Sequence, residues 1–261
     1  MAQTDCVVHE SLRKHLSPRG RLAAEPFCVY RARAVAVARE VFAAYPRHAL
    51  DEQAGPAYLE GMALSRWAFW KRLSSVTGLL PETGQGACLD FGCGMGMMLP
   101  LLRRRFATVY GVDLVPEAAR EFLRRWDAAY RESHEDVSVH DDIEGTGLAD
   151  GSVDLILALD VLEHVDHLED TLDRMRRLLS PRGVLLVCGP TENWIYKLGR
   201  RVVGFSGDYH HRSISDIERV MEDRFTVRTV KRMFYPFTLF VLLEATPRAD
   251  FPEGGVRCES C

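Results

Sequence analysis

Long apolar runs are missing from this 261-residue chain. The longest, such as Phe237 to Leu243, stop far short of the roughly 18 to 20 residues that a membrane span needs, so no membrane-crossing helix is expected. Met1 to Leu12 has no apolar core and is interrupted by Asp5 and Glu10, so it does not resemble a secretory signal and the cytoplasm is the expected compartment. A strong excess of one charge is missing too. The net charge is −4, and residues 86–190 hold 19 acidic against 11 basic side chains, so no basic stripe invites a nucleic acid. Lysine is scarce, four against 29 arginines, which reads as coding bias more than mechanism. The seven cysteines (6, 28, 88, 93, 188, 258, 261) are an odd, scattered set that argues against a disulfide framework. Cys88, Cys93 and Cys188 lie in or beside apolar runs, as small buried hydrophobes do. Cys258-x-x-Cys261 has metal-ligand spacing but no second pair, so reduced thiols are the reading. Fixed-period repeats and low-complexity segments are absent as well, and 47% hydrophobic with 27% charged residues is ordinary globular composition.

What the chain does contain is a change of texture near residue 80. Phe27 to Tyr45 reads as a helix with Val35, Ala38, Val41 and Phe42 at helical spacing and Pro46 as its stop. A second helix is expected from about Ala57 to Val76, with Leu59, Met62, Ala63, Arg66, Trp67, Trp70 and Leu73 along one broad stripe. Residues 1–80 therefore form an N-terminal helical segment, placed as a lid or substrate element. From Gly86 short apolar strands alternate with helices. Strands are expected at Ala87–Phe91, Thr108–Val112, Val137–His140, Val153–Leu159 and Val184–Cys188. Helices are expected at Met97–Phe106, from Pro116, and after a capping-box variant at Asp166 and Glu169 that stops at Ser180-Pro181-Arg182-Gly183. That rhythm predicts an α/β fold, a Rossmann-like, mostly parallel sheet with helices on both faces, over residues 81–246. Residues 247–261 read as a flexible tail.

The chemistry centres on Leu89-Asp90-Phe91-Gly92-Cys93-Gly94-Met95-Gly96-Met97, where the first strand hands over to a helix. In such folds ligands bind beyond the carboxyl ends of the strands. Glycines at 92, 94 and 96 allow a sharp turn and put no Cβ between backbone and ligand. Asp113, at the end of the second strand, is placed to take both hydroxyls of a ribose. A dinucleotide turn would need a small residue at 97 or 99, but Met97 and Leu99 stand there, which counts against a nicotinamide-dependent oxidoreductase. Asp90 also places a carboxylate where a pyrophosphate would approach, so a cationic or zwitterionic ligand suits the turn better.

With these residues in place the chain resembles the class I S-adenosylmethionine-dependent methyltransferases, in particular the small-molecule group that includes ubiquinone-biosynthesis enzymes. The resemblance runs over roughly residues 86–190. It is carried by the glycine motif, Gly111-Val112-Asp113, Asp141-Asp142-Ile143, Asp150-Gly151-Ser152-Val153-Asp154, Asp160-Val161-Leu162-Glu163-His164-Val165 and Leu178-Leu179-Ser180-Pro181-Arg182-Gly183-Val184. Thr146-Gly147-Leu148 departs from the usual Leu-Pro-Phe of that family. The resemblance implies a seven-stranded sheet closed by an antiparallel edge hairpin at Thr226–Val230 and Phe237–Leu243, with S-adenosyl-L-methionine as cofactor. It implies that Asp90, Gly92, Cys93, Gly94 and Gly96 line the methionine end. Asp113 would bind the ribose, Leu114 would cover the adenine, and Asp142 and Ile143 would lie beside its ring. Leu159 and Asp160 would lie under the sulfonium and amino group.

Methyl transfer from a sulfonium is an in-line displacement, and holding the partners in line can supply several kcal/mol without covalent chemistry. A hydroxyl acceptor benefits from a general base, for which His164 after the fourth strand is one candidate and His210 and His211, with Tyr209, are others. The latter three precede a helix expected to be capped by Ser215 with Glu218. Lys197, Arg200 and Arg201 could hold an anion or simply face solvent, and Tyr58, Arg66, Trp67 and Trp70 could roof the site or simply fill the core. No metal-ligand spacing joins Asp160, Glu163 and His164 to the histidine pair, so no metal is expected. The expected function is methyl transfer to a small-molecule acceptor, at a hydroxyl of a secondary metabolite, lipid or glycan precursor. An oxidoreductase, C- or N-methylation by the same fold, and a non-enzymatic scaffold are the alternatives. The chain is expected to act as a monomer or homodimer.

Overall fold

The computed structural model describes residues 25–44, 58–60, 62–81, 86–191 and 212–249. Seven strands form one sheet: β1 Ala87–Phe91, β2 Thr108–Val112, β3 Val137–His140, β4 Val153–Leu159, β5 Leu179–Pro190, β6 Phe225–Met233 and β7 Phe240–Pro247. Their order is β3-β2-β1-β4-β5-β7-β6. β1 to β5 pair in parallel, whereas β7 runs antiparallel to both neighbours. Because β1 and β4 lie mid-sheet with both faces covered, they read as continuous apolar runs. Side chains alternate across a strand, so Leu155 and Leu157 join one apolar cluster while Ile156 and Ala158 join the other.

Helices divide accordingly. One face carries α1 (Phe27–Ala44), α2 (Ala63–Thr77), α3 (Leu99–Arg103) and α4 (Pro116–Tyr130). The opposite face carries α5 (Leu168–Leu178) and α6 (Ile214–Glu222). α1 buries Tyr30, Ala34, Val37, Ala38, Val41 and Phe42, a helical stripe that lies against α4. The Tyr30 ring packs 5.3 Å from that of Trp126, and its hydroxyl donates to the Met97 carbonyl just behind the glycine turn. The N-terminal helices thus share one core with β1, β4, β5 and β7.

Several local boundaries differ from the sequence expectation. The Met97–Phe106 helix contracts to Leu99–Arg103, because the glycine turn uses Met97 and Met98 and Pro100 sits in the first helical turn. The second N-terminal helix begins at Ala63, after an extended Met62, with Tyr58 and Leu59 in a separate short piece. Ser180 to Gly183 lie inside β5, where the pairing slips from Val153–Leu179 to Leu155–Val184. The capping box on α6 is Ser213 with Asp216, not Ser215 with Glu218. His167, which offers no side-chain cap, precedes α5 in place of the expected Asp166 box. The edge hairpin is longer than expected, and its Phe240 end pairs with Pro190, at the carboxyl edge of the parallel strands. That edge also holds the glycine turn, Asp113 and Asp160.

Candidate active site

The turn after β1 has positive φ at Gly92 (74°), Gly94 (54°) and Gly96 (77°), a region that side chains disfavour. A Cβ on Gly92 would fall 2.5 Å from the Val161 side chain, so a substituent there would collide with the segment after β4. Gly92 and Cys93 N–H donate to the Val112 carbonyl at 2.8 and 3.0 Å, which ties the turn to the end of β2. Asp113 adds a second tie. Its carboxylate accepts from Gly94 N–H at 2.8 Å and from Val115 N–H at 3.1 Å. Leu114, next along, is 89% exposed and stands clear of the surface. Asp142 accepts from Gly145 N–H and closes the 3-10 turn Glu144–Thr146, with Ile143 half-buried beside it. Cys93 turns inward against Gly111, and burial pushes its thiol well up. It is placed as a packed wall rather than a nucleophile.

Acids gather at this edge. Asp90 is 3% exposed, and burial, followed by the Asp113 charge, pushes its carboxyl up to about 7. Leu159 is half-buried at the end of β4. Asp160 follows it with a left-handed backbone (φ 53°), and its N–H donates to the Cys188 carbonyl at 2.7 Å. The Asp160 carboxylate forms an ion pair with Arg72 of α2. Arg72 is itself 2% exposed; it donates to the Tyr58 hydroxyl at 2.5 Å and lies over the rings of Phe69 (4.8 Å) and Phe240 (5.2 Å).

Of the catalytic candidates, His164 lies exposed at the end of the 3-10 turn Leu162–His164, while its neighbour Glu163 is buried. Glu163 helps to hold the Cys188 thiol up to about 12, behind burial as the main cause and against the lowering effect of Arg72. Tyr209, His210 and His211 lie outside the described residues, as do Lys197, Arg200, Arg201, Cys258 and Cys261. Among the aromatic candidates, Tyr58 and Trp70 are buried, and the Trp70 indole N–H donates to the Tyr58 carbonyl at 3.3 Å. Trp67 stays half-exposed, edge-on to Phe234 at 5.3 Å. Sequence reasoning missed Arg72 and the inward turn of Glu163. A cation among Phe69, Leu73 and Val76 on a buried helical stripe was the available signal for Arg72. Among the described residues no group of three or more His, Cys, Asp or Glu side chains could hold a metal ion. No described helix is long and apolar enough to cross a membrane.

These features fit a cationic nucleoside cofactor. A cradle closed to any Cβ at Gly92, an exposed Leu114 beside a strand-end acid, and a buried Asp160 Oδ1 with no hydrogen-bond partner among the described residues all favour a ligand with donors and positive charge. A sheet of this order with a reversed seventh strand, and a glycine turn and two strand-end acids at its carboxyl edge, defines the class I S-adenosylmethionine-dependent methyltransferases.

A family model described as a methyltransferase domain matches residues 62–234, and the chain belongs to that family. A ubiquinone biosynthesis O-methyltransferase of Rhodopseudomonas palustris (strain BisB5) is 30% identical over 129 residues, which is 48% of this chain and 45% of that protein. A polyketide synthase–nonribosomal peptide synthetase of Pyricularia grisea is 32% identical over 126 residues, 46% of this chain and 3% of that protein. The matched part therefore spans less than half the length of these curated relatives. Among solved structures, magnesium protoporphyrin IX methyltransferase from Synechocystis PCC 6803, with bound SAH, has the same fold at 19% identity. Its TM-score is 0.58, over 82% of this chain and 99% of that one.

Proposed function

We propose that the chain transfers a methyl group from S-adenosylmethionine to a hydroxyl of a small-molecule acceptor, a secondary metabolite or a lipid or glycan precursor. The observation that carries this reading is the side-chain-free turn at Gly92, Gly94 and Gly96, braced by Asp113 and packed against Val161. When bound, the cofactor supplies an electrophilic methyl on a sulfonium. The protein's own residues do the rest. Gly92 to Gly96 and Asp90 take the amino-acid end, and Asp113, Leu114, Asp142 and Ile143 take the nucleoside. Leu159 and Asp160 close the floor. Holding donor and acceptor in line can lower the barrier by about 7–11 kcal/mol in the most favourable intramolecular cases.

Oxygen is favoured as the accepting atom because the relatives named as ubiquinone biosynthesis enzymes are O-methyltransferases. For a hydroxyl the proton needs an acceptor, and the candidates are His164, which lies in the turn directly after Asp160 and Val161, and His210 or His211 with Tyr209. Calorimetric titration with S-adenosylhomocysteine and with NADH tests the reading: binding of the thioether without NADH is expected. Binding of NADH alone would move the chain to the oxidoreductases, and binding of neither would make it a scaffold.

A further inference from the structure

We propose that Arg72 is a positioning residue: it holds Asp160 Oδ2 and thereby presents Oδ1 to the amino end of the cofactor, so that binding at the cradle depends on α2. This inference rests on the function proposed above. Arg72 and Asp160 lie 88 positions apart and meet because α2 packs across the face of the sheet beneath which β4 ends. Burying a guanidinium is costly unless the charge is paired and its donors satisfied. The chain places it against a carboxylate, a tyrosine hydroxyl and two aromatic rings.

The partner is equally constrained. Asp160 adopts a left-handed backbone, a conformation that costs a non-glycine residue and that aspartate tolerates better than most. Its N–H is fixed on Cys188, and one carboxylate oxygen is fixed on Arg72. Oδ1 is buried with no hydrogen-bond partner among the described residues. A buried acceptor of that kind is expensive to leave unmade, so it suits an incoming N–H donor. Val161, the next residue, already touches the position where a Gly92 side chain would begin. Asp160 therefore stands on the β4 side of the glycine turn, at the end where the amino group is expected, whereas the ribose acid Asp113 stands on its β2 side.

The test uses two ligands that differ only in the amino-acid end, S-adenosylhomocysteine and 5′-methylthioadenosine, each titrated by calorimetry. Arg72→Met is expected to weaken S-adenosylhomocysteine roughly 10- to 100-fold, the worth of a hydrogen bond to a charged group, and to leave methylthioadenosine within about threefold. Arg72→Lys should recover part of the loss. Asp160→Asn should reproduce the same selective loss, and Arg72→Met with Asp160→Asn should be no worse than the aspartate change alone. Should Arg72→Met fail to fold, Asp160→Asn and Arg72→Lys carry the same expectation. Equal weakening of both ligands, or none of either, overturns the inference while the cofactor reading stands. Wild-type protein that binds neither ligand overturns both.

Discussion

The two sides of the site are built in opposite ways. The cradle on the β1–β2 side comes from contiguous sequence: seven residues from Asp90 to Gly96, and an aspartate at the end of the neighbouring strand. The α2 side is assembled from afar, with Arg72 and Tyr58 before the sheet, Asp160 in its middle and Phe240 on its last strand. A ligand whose charge and size are fixed can be held by a local turn. A buried ion pair needs partners on facing elements, so the Arg72 side draws on residues far apart in the chain. Substitutions on the first side should therefore act on cofactor binding through the backbone, and those on the second through charge and packing.

Gly92→Ala should break the cradle most severely. A left-handed backbone costs an L-residue about 1–2 kcal/mol and overpacking about 1–3 kcal/mol more, and here the new Cβ meets Val161. The expected outcome is loss of measurable S-adenosylhomocysteine binding and a fall of about 2–5 kcal/mol in urea unfolding. Gly147 has a similar φ of 64° with nothing within 4 Å of its Cβ position. Gly147→Ala should cost only about 1 kcal/mol and spare binding, which separates the collision from the backbone conformation. If both variants bind equally, the cradle is not where the cofactor sits.

Asp113→Ala comes next. Besides removing the expected ribose contact, it removes an acceptor for Gly94 and Val115 N–H. Cofactor affinity should fall beyond detection by calorimetry, and stability by about 1–3 kcal/mol. A variant that keeps full affinity would shift the ribose contact to another residue.

The effect of Asp90→Asn is set by pH. The folded carboxyl titrates at about 7 against about 3.9 in the unfolded chain, so the folded state binds the extra proton between those values. Wild-type stability therefore falls as pH rises through that window. Asparagine removes the penalty, on the order of a few kcal/mol at pH 8, and gives no gain near pH 4. Thermal unfolding at both pH values reads the difference; a gain that does not grow with pH would mean that the burial of Asp90 is not what shifts it.

Strand positions, the glycine turn and the aspartates beside it were legible in the sequence because each is encoded within a few residues: apolar runs for the strands, glycines for the turn, an aspartate at a strand end. Helix starts were less so. Ser213 and Ser215 both offer a capping hydroxyl, and only the geometry of the preceding segment chooses between them. Leu162 to His164 illustrates a second limit, since a three-residue turn has no periodicity from which to read that Glu163 faces in and His164 out. The Arg72–Asp160 pair illustrates a third: nothing local to α2 names an acid 88 residues away.

The Tyr30 hydroxyl seated on the Met97 carbonyl has a practical consequence for anyone trimming or recombining this chain. A fragment begun at Gly86 would keep every motif yet leave Trp126 and the back of the glycine bend bare to water. A foreign amino-terminal segment spliced on in its place would need its own aromatic plug and hydroxyl at the same spot. The leading helices belong to the foundation, and replacing them means relaying part of the floor beneath the bend.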